Sequence, residues 1–167
     1  AYQVVLTINQ IGFMTYMSVA TAVAIRVANF AGTSDKRQMR MTATSGLALN
    51  LVLGLLASLT FIFLGNPIVS IFTSDTAVRT YAALLIFPLV LYQFGDAMQI
   101  TYGNALRGTS NVAPMFGISL ICYLAAGVPA MLLLADLLGM ESRGVYFSFS
   151  VAVFLAAWLY LRAFRLT

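Results

Sequence analysis

Asp96 is the residue whose type and position in this sequence most clearly predict chemistry. It lies in the middle of the apolar stretch LVLYQFGDAMQITYG, without a Lys or Arg nearby. A carboxylate at the centre of a bilayer costs roughly 2.5–3.5 kcal/mol even on a lenient insertion scale, so such acids usually face inward and serve a function. We therefore predict that Asp96 binds a proton or a cation.

Three further residues share the helical face of Asp96, at steps of four, three and four along the chain: Tyr92, Gln99 and Gly103. The face offers a phenol, a carboxylate and an amide beside a small residue. This combination indicates a coordination or proton-binding face. The alternative is that Asp96 only holds neighbouring helices together by hydrogen bonds.

The first apolar stretch carries a polar stripe that could line a cavity, formed by Gln3, Thr7, Gln10, Met17 and Thr21. The alternative for this stripe is hydrogen bonding between helices, worth only about 0.6 kcal/mol for each bond. Arg26 lies one turn from the end of the same stretch. Its long side chain can place the charge among the headgroups, which predicts a structural role.

Small residues recur at every fourth position of the second stretch, at Gly46, Asn50, Gly54 and Ser58. This spacing lets two helices approach closely and predicts packing rather than chemistry. Pro88 and Pro129 interrupt the third and fourth stretches. Each proline frees a backbone carbonyl and permits a kink, which is tolerated where neighbouring groups satisfy that carbonyl.

The residue types argue against an enzyme. The chain has no His and a single Cys, Cys122, inside an apolar run. This removes most metal sites, the commonest general base, and the Ser–His and Cys–His pairs of nucleophilic catalysis. Asp96 also lacks a second mid-span acid for acid–base work. We expect no enzymatic activity and no cofactor, apart from a sodium ion or proton at Asp96.

The composition places these residues in a membrane. Of 167 residues, 61% are hydrophobic and 8% are charged, with a mean hydropathy of +0.93. Ordinary soluble domains have about a quarter charged residues. A domain of this size could not cover so apolar a chain with polar surface, so a bilayer must solvate it. The net charge of +4 then marks topology and does not indicate a nucleic-acid partner.

Five stretches are long enough to cross a bilayer as helices, which takes roughly 20 mostly apolar residues. They are residues 4–30, 41–64, 79–106, 112–135 and 144–162. The sequence thus predicts an all-α membrane domain of about five transmembrane helices over residues 1–167. We expect Gly32 to cap the first helix. Residues 68–74 are too short to cross and are expected to form a brief helix at the interface.

The order of these elements resembles one transporter family. The stretch LYQFGDAMQITYGNALRGTSN, with Tyr-x-x-x-Asp-Ala-x-Gln and a closing Leu-Arg-Gly, resembles the tenth helix of the multidrug and toxic compound extrusion (MATE) family. The opening AYQVV and FMTYMSVATAVAIRVANFAG resemble the eighth helix. Three further features fit helices eight to twelve of the family: the loop lengths, the stretch with Leu-Gly-Asn-Pro and Ile-Phe-Thr-Ser-Asp, and a closing helix that begins with Arg-Gly-Val-Tyr. The resemblance therefore covers essentially the whole chain.

The resemblance implies twelve helices in two six-helix lobes around a central cavity, and drug export in exchange for sodium ions or protons. In one branch of the family an acid of the tenth helix binds the coupling cation, which corresponds to Asp96 with Tyr92 one turn earlier. Gln3 and Asp75 match cavity-facing positions. A second acid normally comes from the seventh helix. We therefore expect an incomplete carboxy-terminal lobe whose partners are that helix and the amino-terminal lobe.

The sequence leaves more than one function open. The leading interpretation is part of an exporter of small, cationic amphiphilic molecules. A lipid-linked saccharide flippase of the same superfamily would more often have several cations facing the cavity, and Arg26 is the one candidate here. A membrane assembly protein without transport activity is the third interpretation.

The cations are divided unequally between the two sides of the predicted bundle. One side collects six, Lys36, Arg37, Arg40, Arg107, Arg162 and Arg165, and the other two, Arg79 and Arg143. Positive residues mark the cytoplasmic side. We expect a multi-pass protein of the inner (plasma) membrane that starts outside and has a cytoplasmic carboxy terminus.

This orientation predicts the outcome of cysteine labelling. In a Cys122→Ala background, Gln38→Cys should react with an impermeant maleimide after spheroplasts are opened but not before. Met140→Cys should react in intact spheroplasts. Labelling of residue 38 from outside intact spheroplasts would overturn the assignment.

Overall fold

The described part of the chain is helical apart from the turns at residues 33–35 and 109–112 and the final residue. The computed structural model describes the backbone of residues 2–72, 76–137 and 141–167. It also describes the side chains of these residues, with the exception of residues 2–9, 11, 61, 64–66, 68–69, 71–72, 76–84, 136–137 and 141–143. Five rods follow one another: α1 (Tyr2–Gly32), α2 (Lys36–Phe72), α3 (Thr76–Gly108), α4 (residues 113–137) and α5 (Glu141–Leu166). The all-α prediction is confirmed, and each rod corresponds to one of the five predicted stretches.

The fourth rod is not a uniform α-helix. In α4, α-helical turns at Ala113–Ser119 and Val128–Met131 alternate with π-helical turns at Leu120–Gly127 and Leu132–Leu137. The N–H of Val128 reaches back five residues to the carbonyl of Tyr123. Pro129 follows directly and has no N–H to donate. The sequence around Pro129 thus has wider, π-helical turns on both sides of the proline, rather than one sharp break.

The expectation of a separate interfacial helix at residues 68–74 is wrong. α2 continues through Pro67 as far as Phe72, and residues 73 and 74 lie outside the described part. A proline inside a membrane helix is tolerated where neighbouring groups satisfy the carbonyl that it frees. The Gly-Asn-Pro sequence therefore does not end this helix, although it would in most soluble proteins.

The turn between α1 and α2 is closed by residues other than the expected glycine. α1 ends at Gly32, but the left-handed residue is Ser34, with φ of 57°. The Ser34 N–H bonds to the carbonyl of Ala31 at 3.1 Å. Asp35 then accepts the N–H of Gln38 at 3.0 Å through its carboxylate. This side-chain bond starts α2, as is typical of an aspartate at a helix N-cap.

Four rods contain described stretches that are long and apolar enough to cross a bilayer: Gly12–Gly32, Lys36–Thr60, Ala113–Ala135 and Gly144–Leu166. The described part of α3 is not among them. It carries amide, carboxylate and hydroxyl side chains between residues 93 and 104, which lower its hydropathy. Large apolar side chains such as Phe63 and Phe116 are each 77% exposed on the outer rods. The chain is thus a multi-pass membrane protein, and the crossing of α3 itself stays a prediction.

α3 forms the centre of the bundle, in contact with α1, α2 and α5. Residues 101–106 of α3 are all buried. The main apolar cluster draws a completely buried side chain from every rod: Val27, Ala43, Leu106, Cys122 and Ala156, in chain order. This cluster fixes the end of the bundle where the α1–α2 and α3–α4 turns lie.

A glycine permits the closest contact between α1 and α2. A Cβ added at Gly46 would lie 2.1 Å from Cγ2 of Val23. The small-residue stripe to which Gly46 belongs is buried along its length. Small residues at this spacing allow backbones to approach, so the stripe has the packing contact that the sequence predicted.

Adding a methyl group at Gly46 should therefore destabilise the bundle. We expect Gly46→Ala to cost about 1–3 kcal/mol, as overpacking typically does, seen as a lower melting temperature in detergent. Gly117→Ala is the matched control, because its added Cβ would have nothing within 4 Å. Adding Val23→Ala to Gly46→Ala should restore much of the loss. Equal melting temperatures for the two glycine variants would contradict the contact.

Candidate functional site

Asp96 is the one buried charge in the described part of the chain. Its side chain is 6% exposed, whereas every other described Asp, Lys and Arg is exposed. No ion pair to Asp96 is present within the described residues. In the same part of the chain, no three His, Cys, Asp or Glu side chains come together to hold a metal ion. The acid is therefore shielded from lipid and water without a described cation that balances its charge.

The contact between α3 and α5 fixes the position of Asp96. The preceding residue, Gly95, lies so close to α5 that an added Cβ would be 2.6 Å from Cγ2 of Val153. Val153 is buried, as is Ala97 on the other side of the acid. Tight packing on both sides holds the backbone, so the carboxylate has little freedom to turn toward the acyl chains.

A hydrogen-bonded group of buried side chains joins α1, α2 and α3 near Asp96. The Tyr16 hydroxyl on α1 donates to Oε1 of Gln93, which precedes Asp96 by one turn. Asn50 on α2 donates through Nδ2 to Oγ1 of Thr101 at 2.8 Å and to the carbonyl of Tyr16 at 3.3 Å. Tyr16 is also close enough to Asp96 for an electrostatic interaction. We call Tyr16, Asn50, Gln93 and Thr101 the polar cluster.

The polar cluster keeps hydrogen-bonding groups that have no partner among the described residues. These are the buried Nε2 of Gln93 and the buried Oδ1 of Asn50. Outside the cluster, Oγ of Ser58 on α2 is also buried without a partner among the described residues. A buried group without a partner costs about 1–3 kcal/mol. A donor and an acceptor of this kind, in a cluster beside a buried acid, give the region the capacity to bind a polar species.

Gln99 is directed toward α4 rather than toward the polar cluster. The Tyr123 hydroxyl on α4 donates to Oε1 of Gln99 at 2.9 Å. Gln99 and Gly103 line a cleft of about 180 Å³ together with Met17. Asp96 is not part of that lining. The structure thus brings two residues of the predicted face into one cleft and places the acid outside it.

The other predicted site residues are less well placed or lie outside the described part. Tyr92 is half-buried on α3, one turn before the acid, and Gln10 is exposed on α1. The side chain of Gln3 and the whole of Asp75 are outside the described residues. Arg26 is exposed in a groove between α1 and α2, as expected of a cation that reaches the headgroups. The site roles of these residues remain predictions.

Sequence reasoning missed the polar cluster. Gln93 offered a signal, because it is an amide in the middle of the same apolar stretch as Asp96. Asn50 belongs to the small-residue stripe, and its spacing predicts helix packing rather than a hydrogen-bonding role. Tyr16 and Thr101 gave no signal, since tyrosine and threonine are common in membrane helices and their partners lie on other rods.

The fold and the buried acid define a multi-pass helical membrane protein with a polar centre. A model of the family MatE matches residues 1–132. The chain is 36% identical over 132 residues to "Probable multidrug resistance protein NorM" of Xanthomonas campestris pv. campestris, which covers 77% of the chain. It is 32% identical over 170 residues to the protein of the same name from Pasteurella multocida, which covers 99% of it. The chain belongs to the MATE family, as the resemblance predicted.

A solved structure agrees with this assignment at the level of the fold. The crystal structure of the eukaryotic MATE transporter AtDTX14 matches 99% of the chain with a TM-score of 0.90 and 24% identity. The chain covers 37% of that structure, 28% of the Xanthomonas protein and 36% of the Pasteurella protein. It therefore spans about a third of the length of its relatives. Their names refer to multidrug resistance and transport rather than to an enzymatic reaction, which supports the non-enzyme prediction.

The polar cluster predicts a specific loss of stability. Tyr16→Phe removes the hydroxyl that pairs with Gln93 and should cost about 1–3 kcal/mol, because the Gln93 amide is then left without its described partner. Ser18→Ala on the same helix is the control, since Ser18 is exposed and bonds to the Met14 carbonyl of its own helix at 3.0 Å. That change should stay within about 0.5 kcal/mol. Identical melting temperatures in detergent for both variants would show that the cluster does not stabilise the bundle.

Proposed function

We propose that this chain is part of a secondary active exporter, which moves small, cationic amphiphilic molecules outward in exchange for sodium ions or protons. The observation that carries the proposal is the burial of Asp96, the one described charge removed from both water and lipid. Membership of the MATE family and the printed names of the relatives support the transport part of the proposal.

Asp96 acts as the coupling site in this proposal. Its carboxylate is costly in the bilayer while it is charged, and much less so when a proton or sodium ion neutralises it. A ligand shifts a conformational equilibrium only by its differential affinity for the two states. The affinity of Asp96 for the ion differs between the two states when one state connects the carboxylate to an aqueous path and the other closes that path. The packing around Gly95 and Ala97 would close it.

The two candidate coupling ions make different demands on the site. A proton needs Asp96 alone, whereas a hard cation prefers several oxygen ligands. Tyr92 offers a phenol oxygen one turn away on the same face. The amide oxygen of Gln99 is engaged by the Tyr123 hydroxyl at 2.9 Å, so it would have to leave that bond to contribute. Further ligands for sodium would come from outside this chain, in the first place from the acid that the family resemblance assigns to a seventh helix.

The substrate path is proposed on the side of α1 that carries Gln3 and Gln10, with Asp75 as a third contributor. Gln10 is exposed in this chain, as a residue facing an amino-terminal lobe across a cavity would be. The predicted partners are that lobe, the seventh helix and the surrounding lipid.

The proposed location is the inner membrane, with the carboxy terminus in the cytoplasm. The cation-rich ends of the helices meet at one end of the bundle, where Nη2 of Arg40 on α2 donates to the carbonyl of Arg165 on α5 at 3.2 Å. The excess of positive residues there supports the cytoplasmic assignment of that end.

An exporter of cationic drugs fits the charges better than a saccharide flippase does. Every described Lys and Arg is exposed, and Arg26 opens onto a groove that also contains the exposed apolar residues Met41 and Leu49. None of the described cations is therefore buried within the bundle, whereas Asp96 is. A buried carboxylate is the complementary charge for a proton, a sodium ion or an organic cation.

Replacing the acid while keeping its shape tests the coupling role. Asp96→Asn in the full-length gene product should insert and fold, because losing a charge inside the membrane does not hinder insertion. It should lose gradient-driven uptake of a fluorescent cationic dye into everted vesicles, by about a factor of ten or more, since one tenfold step corresponds to about 1.4 kcal/mol of coupling energy. Dye binding in detergent should survive better than transport.

Asp35→Asn is the matched control for this experiment. Asp35 is exposed and accepts the Gln38 N–H at the start of α2, and asparagine caps helices about as well as aspartate. This variant should export at the wild-type rate under both sodium and proton gradients. Wild-type export by Asp96→Asn at matched expression would make Asp96 a packing residue and place the coupling site elsewhere.

A further inference from the structure

A cleft at the cation-rich end of the bundle combines two charges with an apolar wall. It lies between α2, α3 and α5, has a volume of about 310 Å³, and is lined by Arg40, Thr44, Tyr102, Leu161, Phe164 and Arg165. It shares no lining residue with the cleft that contains Gln99 and Gly103. Neither Asp96 nor Tyr92 lines it either, so it is separate from the proposed coupling site.

The two arginines of this cleft have no acid beside them. None of the described lining residues is Asp or Glu. Arg40 donates one N–H to the carbonyl of Arg165, at 3.2 Å between Nη2 and O. Because a guanidinium has five N–H donors, this bond does not exhaust its capacity to bind an anion. Two like charges that share one cleft repel each other unless an anion binds between them. Guanidinium groups bind phosphate and carboxylate in a bidentate geometry, and phosphate is the anion that membrane phospholipids carry.

Apart from Thr44, the rest of the lining is aliphatic or aromatic and suits a hydrocarbon chain. Tyr102 and Phe164 are buried, and their rings pack with centroids 6.5 Å apart. Leu161 is half-buried on the same side of α5. A ligand that fits both halves of the cleft carries an anionic head and an apolar tail.

The neighbouring surface of α5 marks the level of the headgroups. The guanidinium of Arg162 lies over the exposed ring of Trp158, 4.2 Å from its centroid. Exposed tryptophan and arginine together are typical of the membrane–water interface. Arg165 lies one turn beyond this pair, so the two arginines of the cleft are at the depth of lipid phosphates.

We propose that this cleft binds an anionic phospholipid, with Arg40 and Arg165 on the phosphate and an acyl chain against Tyr102 and Phe164. The lipid would join the start of α2 to the end of α5. This assignment does not depend on the transport proposal, because no residue of the cleft takes part in coupling.

The test uses the full-length gene product in nanodiscs made of phosphatidylcholine with a small fraction of spin-labelled phosphatidylglycerol or spin-labelled phosphatidylcholine. The immobilised fraction of each label is measured by electron paramagnetic resonance. We expect the protein to retain phosphatidylglycerol in preference to phosphatidylcholine. Each basic residue near a membrane surface contributes about fivefold to anionic-lipid affinity, so Arg40→Gln with Arg165→Gln should reduce the preference by about twentyfold or more.

Arg162→Gln is the matched control, since it removes the same charge from the same helix outside the cleft. It should lose no more than the roughly fivefold that any single basic residue near the surface contributes, because its guanidinium lies over Trp158 and does not line the cleft. An equal loss in Arg162→Gln would show a general surface potential and refute the site. Full preference in the double variant would refute it as well.

A third arm separates a lipid from a soluble anion. Inorganic phosphate at millimolar concentration, added to phosphatidylcholine nanodiscs, should not raise the melting temperature, whereas phosphatidylglycerol should raise that of the wild type but not of the double variant. A rise with inorganic phosphate equal to that with phosphatidylglycerol would show a phosphate site without lipid recognition and overturn the proposal. The double variant in pure phosphatidylcholine should melt like the wild type; a lower temperature there would mean that the arginines serve folding instead.

Discussion

The polar side chains of α3 cannot be left in contact with acyl chains, and this constraint places α1, α2 and α5 around α3. A membrane offers no water to pair with a buried amide or carboxylate, so each such group needs protein around it. α3 carries Gln93, Asp96 and Thr101 in its central turns, all of them buried. The outer rods present large apolar side chains to the outside instead. A helix with polar side chains in its central turns therefore occupies the centre, which reverses the pattern of a soluble bundle.

The neighbours of α3 meet this requirement with close contacts and with hydrogen bonds. Gly46 brings α2 against α1, and Gly95 brings α3 against α5, each at a distance that excludes a larger residue. The polar cluster then pairs groups from three helices, with Asn50 donating to Thr101 at 2.8 Å. Asp96 differs from these groups, because no described cation balances it. A charge kept inside the bundle in this way is the feature on which the proposal of cation-coupled transport rests.

The helices and the inward-facing position of Asp96 could be predicted from the sequence, because both follow from local composition. An apolar stretch of sufficient length indicates a membrane helix wherever it packs, and an acid within it stands out without knowledge of its neighbours. The partners of α3 could not be predicted in the same way, since the pairing of Tyr16 with Gln93 depends on how α1 meets α3. The extension of α2 beyond Pro67 and the π-helical turns of α4 also depend on contacts between helices. Gln99 lies on the predicted face but pairs with Tyr123, because a face defined by spacing does not specify which neighbour each side chain meets.

The most direct measurement of the central claim is the reactivity of Asp96 itself in the full-length gene product. An apolar carbodiimide attacks protonated carboxyl groups inside the membrane, and mass spectrometry identifies the modified residue. If Asp96 binds the coupling ion, its modification falls in a saturable manner, with added sodium in a sodium-coupled protein or with rising pH in a proton-coupled one. Potassium in place of sodium serves as the ionic-strength control. Modification of Asp96 that is unchanged by sodium and by pH, in protein that still transports, would contradict the account.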